Sequence, residues 1–418
     1  MSSDALRTSP SARSGRRVSR DNLRGLEQGF ILLLAGGLAA AVNALFSLIF
    51  LHVSGVVNYS SAAPLLTVGS VAATASVGLE YVLTVRIVAS RSLRSARRSV
   101  QRIAVWSTPF FLLTPLVMWG LHYHSVLDVV LAIALAIASF AQAVPNAMLL
   151  AYGRLWSLGL VAAAEAVVRI LAFLPWAHRH PVTAALVISL LVTVLGALVM
   201  VEIARRRGSV RPASEAPAPS GDTSQTLAKT LIGPLLFAPF AVPVWLAKAY
   251  LDPSGVARLS VAAFLASGVV LVLGPLTSSA IPHVVDPSAR KYLRHARWMV
   301  VGLGSLAAIL VAVLGPITVN LYFSRGVHNL GWLMIPLAVS AMGWALAGFT
   351  TWIGMAMGRP APLYVIALSL ALLTQILVAV VWHTVLGLAC GPVASLGATA
   401  VVLLLGPRLS RRASGARR

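Results

Sequence analysis

The chain has 418 residues, 58% of them hydrophobic and 11% charged, and its mean hydropathy of +0.86 is beyond what a water-soluble fold of this length carries. Its 33 Lys and Arg against 11 Asp and Glu give a net charge of +22. The basic residues lie in short segments between apolar runs rather than among aromatic or polar readers, which excludes nucleic acid as the partner.

Residues 1–28 form a basic tail carrying Arg7, Arg13, Arg16, Arg17, Arg20 and Arg24. The apolar stretch behind it is too long for a signal-peptide core and no small-residue cleavage site follows promptly, so the tail is expected to be retained on the cytoplasmic side. A spanning helix needs about 20 mostly apolar residues. Such runs fall at 29–52, 61–85, 103–121, 126–150, 157–176 and 182–203, and again at 230–251, 257–282, 298–322, 330–356, 361–383 and 386–407. The expected fold is therefore all-α and polytopic, with about twelve transmembrane helices in two six-helix bundles, 29–203 and 229–407. The intervening segment 204–228 is rich in Pro, Ser and Ala and reads as a flexible cytoplasmic linker, and 408–418 as a second basic tail.

With the N-terminus inside, the cytoplasmic segments collect the tail arginines, then Arg86, Arg91, Arg94, Arg97, Arg98 and Arg102, then Arg154. The linker adds Arg205, Arg206, Arg207, Arg211 and Lys229, and later loops add Arg290, Lys291, Arg294, Arg297 and Arg359. Only Arg179, Arg258 and Arg325 remain outside. By the positive-inside rule both termini are expected in the cytoplasm, and heavy use of Ala, Val, Leu and Arg fits a bacterial inner-membrane protein. The halves echo one another. Ser54, Gly55, Val56, Ser60, Ala62 and Ala63 recur as Ser254, Gly255, Val256, Ser260, Ala262 and Ala263, and Ala151, Gly153 and Arg154 recur as Ala356, Gly358 and Arg359. This points to a parallel internal repeat, which secondary transporters use to build a cavity between halves.

Ionisable groups within the spans are costly and need a reason. Glu165 and Arg169 lie four apart near the middle of the fifth span, on one face and within pairing distance. They read either as an intrahelical ion pair or as a cavity wall where Arg169 faces phosphate oxygens and Glu165 holds or releases it. Lys248, near the outer end of the seventh span, either snorkels or faces the cavity. Glu80 either pairs with Arg86 or carries a coupling proton. Asn43 and Gln375 lie at mid-membrane depth and fit interhelical hydrogen bonding better than ligand binding. Pro234, Pro239 and Pro243 mark the seventh span as a bending element. His122 with His124, and His178 with His180, lack accompanying carboxylates or thiolates, and Cys390 reads as packed, so neither metal nor cofactor is expected. No phosphate-binding glycine motif for ATP is present.

The stretch from Gly55 through Tyr59 to Gly78, Leu79 and Arg86 resembles the first hairpin of the multidrug, oligosaccharidyl-lipid and polysaccharide exporter superfamily. The segment Trp245 to Val285, with Thr277 and Pro282 near its cytoplasmic end, is similar to the seventh and eighth helices of the polysaccharide branch. Gly153, Arg154, Glu165 and Arg169 resemble that branch's entry into helix five. The resemblance implies a flippase for a polyprenyl-pyrophosphate-linked oligosaccharide, not an enzyme, working by alternating access beside polysaccharide polymerase and glycosyltransferases. The candidate substrate-binding residues, read from the polar groups within the spans, are Arg169, Glu165, Lys248 and Asn43, with Glu80 and Arg86 in coupling or gating. The chain departs from the superfamily in having few cavity charges. Small-molecule export, a polysaccharide-assembly enzyme and an inactive scaffold stay open as alternatives, although the short outer loops count against the enzyme. A glycine-free loop after the second span counts against the major facilitator class.

Overall fold

The computed structural model describes residues 11–90, 123, 125–152, 154–207, 223–280, 290–322, 330–357, 359–397 and 399. Among these the protein is all helix and loop. The helices are α1 (Ser11–Ser90), α2 (Val126–Ala141), α3 (Ala143–Ala151), α4 (Leu155–Phe173), α5 (Pro181–Arg207) and α6 (Thr223–Tyr250). They continue with α7 (Pro253–Ala280), α8 (Arg290–Tyr322), α9 (Gly331–Ala356), α10 (Ala361–Val381) and α11 (Val385–Gly397). The expected span 103–121 and the second half of 386–407 lie outside the described residues.

The first two spans share α1, which is helical already from Ser11, within what the sequence reads as a tail. Its apolar stretch Ala41–Thr84 has 44 residues. At 1.5 Å per residue that is roughly 66 Å, about twice the hydrocarbon thickness, so it must double back. It does so at Gly55, whose φ of 79° and ψ of 170° interrupt the helix, and the Phe50 and Tyr59 rings meet at 5.8 Å across the turn. The outer loop expected at 53–60 is thus a one-residue break, because glycine alone adopts this backbone without strain. A Cβ at Gly55 would meet nothing within 4 Å, so Gly55→Ala tests backbone strain alone. It should cost about 2 kcal/mol and lower the melting temperature in detergent; unchanged melting would contradict this account.

Helix enters both ends of the segment 204–228: α5 continues to Arg207 and α6 begins at Thr223. The single span expected over 126–150 runs over Val126–Ala151, with its helix interrupted at Gln142 between α2 and α3. Pro145 has no N–H to donate to Ala141, and the ladder resumes with Asn146 donating to the Gln142 carbonyl at 3.1 Å. In contrast, α6 is helical through all three of its prolines. Pro243 cannot donate to the Pro239 carbonyl, and Gln375 of α10 supplies the missing bond at 3.0 Å, the interhelical role expected of it. Gln375→Leu should therefore lose about 1 kcal/mol, read from unfolding in mixed detergent micelles, and a neutral result would exclude this repair.

Exposed tryptophans mark two levels. Trp156 and Trp298 lie at the arginine-rich end with Arg154, Arg294 and Arg297, while Trp176, Trp332 and Trp382 lie at the opposite end. The largest core joins the halves, with α1 packed chiefly against α7 and α6. Both copies of the internal repeat start equivalent helices. Val56 follows the Gly55 break, and Val256 follows the Asp252 cap, whose carboxylate accepts from Ser254 Oγ at 2.7 Å and the Gly255 N–H at 3.2 Å. These bonds, Ser254 foremost, hold the Asp252 carboxyl below the usual range. Ala62, Ala63, Ala262 and Ala263 are buried in the same core, where small side chains let α1 and α7 approach.

Candidate functional site

On α4, Ala162, Glu165, Ala166 and Arg169 form a stripe at helical spacing, and Leu160, Val167, Val168 and Leu171 on the other side are exposed toward lipid. The stripe borders a cavity of about 410 Å³ between the halves. Asn43, Phe46 and Thr67 of α1, Gln142 at the α2–α3 break, and Thr193 of α5 complete the N-terminal wall. From the C-terminal half come Phe237 and Phe240 of α6, and Ser260, Phe264 and Ser267 of α7. The charged residues are thus all on one wall, and the facing wall is mainly apolar and aromatic.

Arg169 and Glu165 diverge. Arg169 Nη1 donates to Asn43 Oδ1 at 2.9 Å and the guanidinium lies 6.0 Å from the Phe46 ring centroid, whereas Arg169 Nε is buried with no acceptor among the described residues. Glu165 Oε1 turns the other way and accepts from Gln142 Nε2 at 3.0 Å; the same amide donates to the Thr193 carbonyl at 3.1 Å. The intrahelical pair, one of the two readings of these residues, is not formed: no N–O contact within 4.0 Å joins Arg169 and Glu165, whereas Arg206 and Glu202, also four apart, do pair. Spacing sets reach, but donors and acceptors on neighbouring helices set direction. The hydroxyls of Thr67, Ser70 and Thr74 donate to carbonyls of their own helix at 2.7, 3.4 and 2.8 Å, leaving oxygen lone pairs to accept hydrogen bonds.

Glu80 and Lys248 stand apart from this cavity. Glu80 Oε1 accepts from Asn146 Nδ2 at 2.7 Å and from Ser76 Oγ at 3.1 Å, beyond the cavity lining; the Arg86 side chain lies outside the described residues. Lys248 is not on the cavity wall either. Its Nζ lies 5.4 Å from the Tyr123 ring centroid, where the stem reaches the span end. Tyr123 donates to the Ser61 carbonyl at 2.6 Å, and Trp245 donates across the halves to the Pro64 carbonyl at 3.0 Å. Among the described residues no group of three or more His, Cys, Asp or Glu suits a metal, and His122 and His124 lie outside them. Sequence reading missed Gln142, Asn146, Thr193 and Gly196. The available signal was a pair of amides, Gln142 and Asn146, flanking Pro145 in a largely apolar run.

At the arginine-rich end the halves meet through glycines. A Cβ on Gly78 would strike the Lys229 carbonyl and come within 2.8 Å of Thr230 Cα, and one on Gly233 would strike the Thr74 carbonyl. Two backbones cross here with no room for side chains.

No family profile and no curated protein sequence matches the chain. Solved structures do. The eukaryotic MATE transporter AtDTX14 superposes with a TM-score of 0.67 at 16% identity, over 93% of this chain and 96% of that one. The lipid II flippase MurJ, in an inward closed conformation, gives 0.65 at 12% identity, over 91% and 87%. The Vibrio cholerae MATE transporter VcmN in its bent form gives 0.60 at 16% identity, over 94% and 98%. The fold is the one shared by these MATE transporters and the lipid II flippase MurJ. It is a two-bundle membrane fold, and the cavity described above lies between its halves.

Proposed function

We propose that this protein is a flippase that carries a polyprenyl-pyrophosphate-linked oligosaccharide across the bacterial inner membrane by alternating access, for cell-surface polysaccharide synthesis. One observation carries the reading: a guanidinium that, among the described residues, has a buried, unpartnered Nε and no ion pair within 4.0 Å lines a cavity whose opposite wall is aromatic and apolar. Such a cavity suits an amphiphile. The pyrophosphate meets Arg169 in paired hydrogen bonds, the sugars meet the hydroxyl-lined wall, and the prenyl chain leaves past Phe237, Phe240 and Phe264. At about 410 Å³ the cavity accepts the pyrophosphate and the nearest sugar, so passage of the whole cargo requires the halves to part. Both termini are then cytoplasmic, Lys248 stands at the outer mouth, and Glu80 with Arg86 serves coupling on the inner side. Polymerase and glycosyltransferases act on either side of the step.

A multidrug exporter is the second reading, favoured by a carboxylate, Glu165, lining the same cavity as Phe46, Phe237, Phe240 and Phe264, a combination that suits an organic cation. Deleting the gene and measuring lipid-linked oligosaccharides by mass spectrometry separates the two. Accumulated lipid-linked repeat units with loss of surface polymer support the flippase. Unchanged pools with new sensitivity to cationic drugs overturn it in favour of export.

A further inference from the structure

We infer that Gln142 is a positioning residue that keeps Glu165 from neutralising Arg169, so that the guanidinium stays available to an anionic group of the cargo; this rests on the reading of Arg169 given above. Two opposite charges one helical turn apart in a low-dielectric wall are expected to pair, since each is the other's nearest compensation. Three contacts oppose that outcome. Gln142 spends one amide hydrogen on Glu165 Oε1 at 3.0 Å and one on the Thr193 carbonyl at 3.1 Å, tying the carboxylate to α5. Gly196 of α5 leaves the slot the carboxylate occupies, since a Cβ there would strike Glu165 Oε1. Asn43 of α1 draws Arg169 the other way at 2.9 Å.

The local sequence explains how Gln142 reaches this position. Pro145 breaks the helix, and Gln142, with φ of −58° and ψ of −19°, is the residue at the break, joining α2 to α3. Replacing its amide by an apolar group leaves Glu165 Oε1 without its donor, and a stranded carboxylate recruits the nearest cation, which is Arg169. The anion site would then be closed by its own neighbour without any change in Arg169 itself.

The test measures binding of inorganic pyrophosphate to the purified full chain by titration calorimetry, with monodispersity and melting temperature followed for every variant. Arg169→Ala should abolish binding. Gln142→Leu and, by a separate route, Gly196→Ala should each weaken it about tenfold, the worth of one charge-assisted hydrogen bond. Adding Glu165→Ala to either variant should restore it, a rescue that general loss of structure would not allow. If Gln142→Leu and Gly196→Ala bind as wild type while Arg169→Ala does not bind, the inference fails and the role of Arg169 stands. Weakening that Glu165→Ala does not relieve overturns it equally. If the wild type does not bind, or Arg169→Ala binds as well as wild type, the reading of Arg169 falls first and the inference with it.

Discussion

Arg169→Ala will abolish translocation while leaving the protein folded and abundant, and Arg169→Lys will retain part of the activity. The guanidinium gains little from its surroundings: one hydrogen bond to Asn43, a ring contact at 6.0 Å and the field of the Glu165 carboxylate beyond ion-pair distance stand against the cost of holding a charge away from water. Removing it therefore costs the fold little. Removing it from bound cargo is another matter, because a charge-assisted pair to phosphate is worth about 1.5–3 kcal/mol, or roughly 10- to 150-fold in affinity. Lysine keeps the charge but not the fork. In a strain depending on this protein, Arg169→Ala at normal abundance should accumulate lipid-linked repeat units and lose surface polymer. Full activity of Arg169→Ala would remove Arg169 from the site.

Gly78→Val will push the halves apart at their arginine-rich end and open the cavity to that side. The Cβ would land on the backbone of Lys229 and Thr230, which cannot swing aside as a side chain can. Overpacking of this kind costs about 1–3 kcal/mol, and the helices escape it by separating, which shifts an open–closed equilibrium by about tenfold or more. The single cysteine makes this measurable: with Cys390→Ser as background, Thr67→Cys on the cavity wall becomes a reporter. Gly78→Val should raise its labelling by a polar maleimide applied to the arginine-rich side of oriented vesicles. Gly233→Val, facing the Thr74 carbonyl, should do the same. Unchanged labelling in folded protein would show that this crossing is not the closure on that side.

Much of the fold was legible because lipid imposes a simple condition. A run of about 20 apolar residues must span, and the expected ends of 330–356 and 361–383 lie within two residues of α9 and α10. Glu165 and Arg169 stood out for the converse reason, since charge in an apolar run is expensive. The direction of those side chains was not legible. Spacing of four allows a pair; Gln142, Gly196 and Asn43, brought in from three other segments, prevent it. For Lys248 depth allowed either a snorkelling or a cavity role, and the structure sets its ammonium 5.4 Å from the Tyr123 ring centroid.

The sequence by itself thus determined that this is a membrane protein of about twelve helices in two repeated halves, because hydropathy and its period act along the chain. Which faces turn inward was decided by tertiary structure. In lipid both the packed and the exposed faces of a helix are apolar, so amphipathic pattern does not separate them. Partners distant in sequence, such as Gln375 on the Pro239 carbonyl and Gln142 on Glu165, settle the arrangement because each buried polar group must find its bond where the fold supplies one.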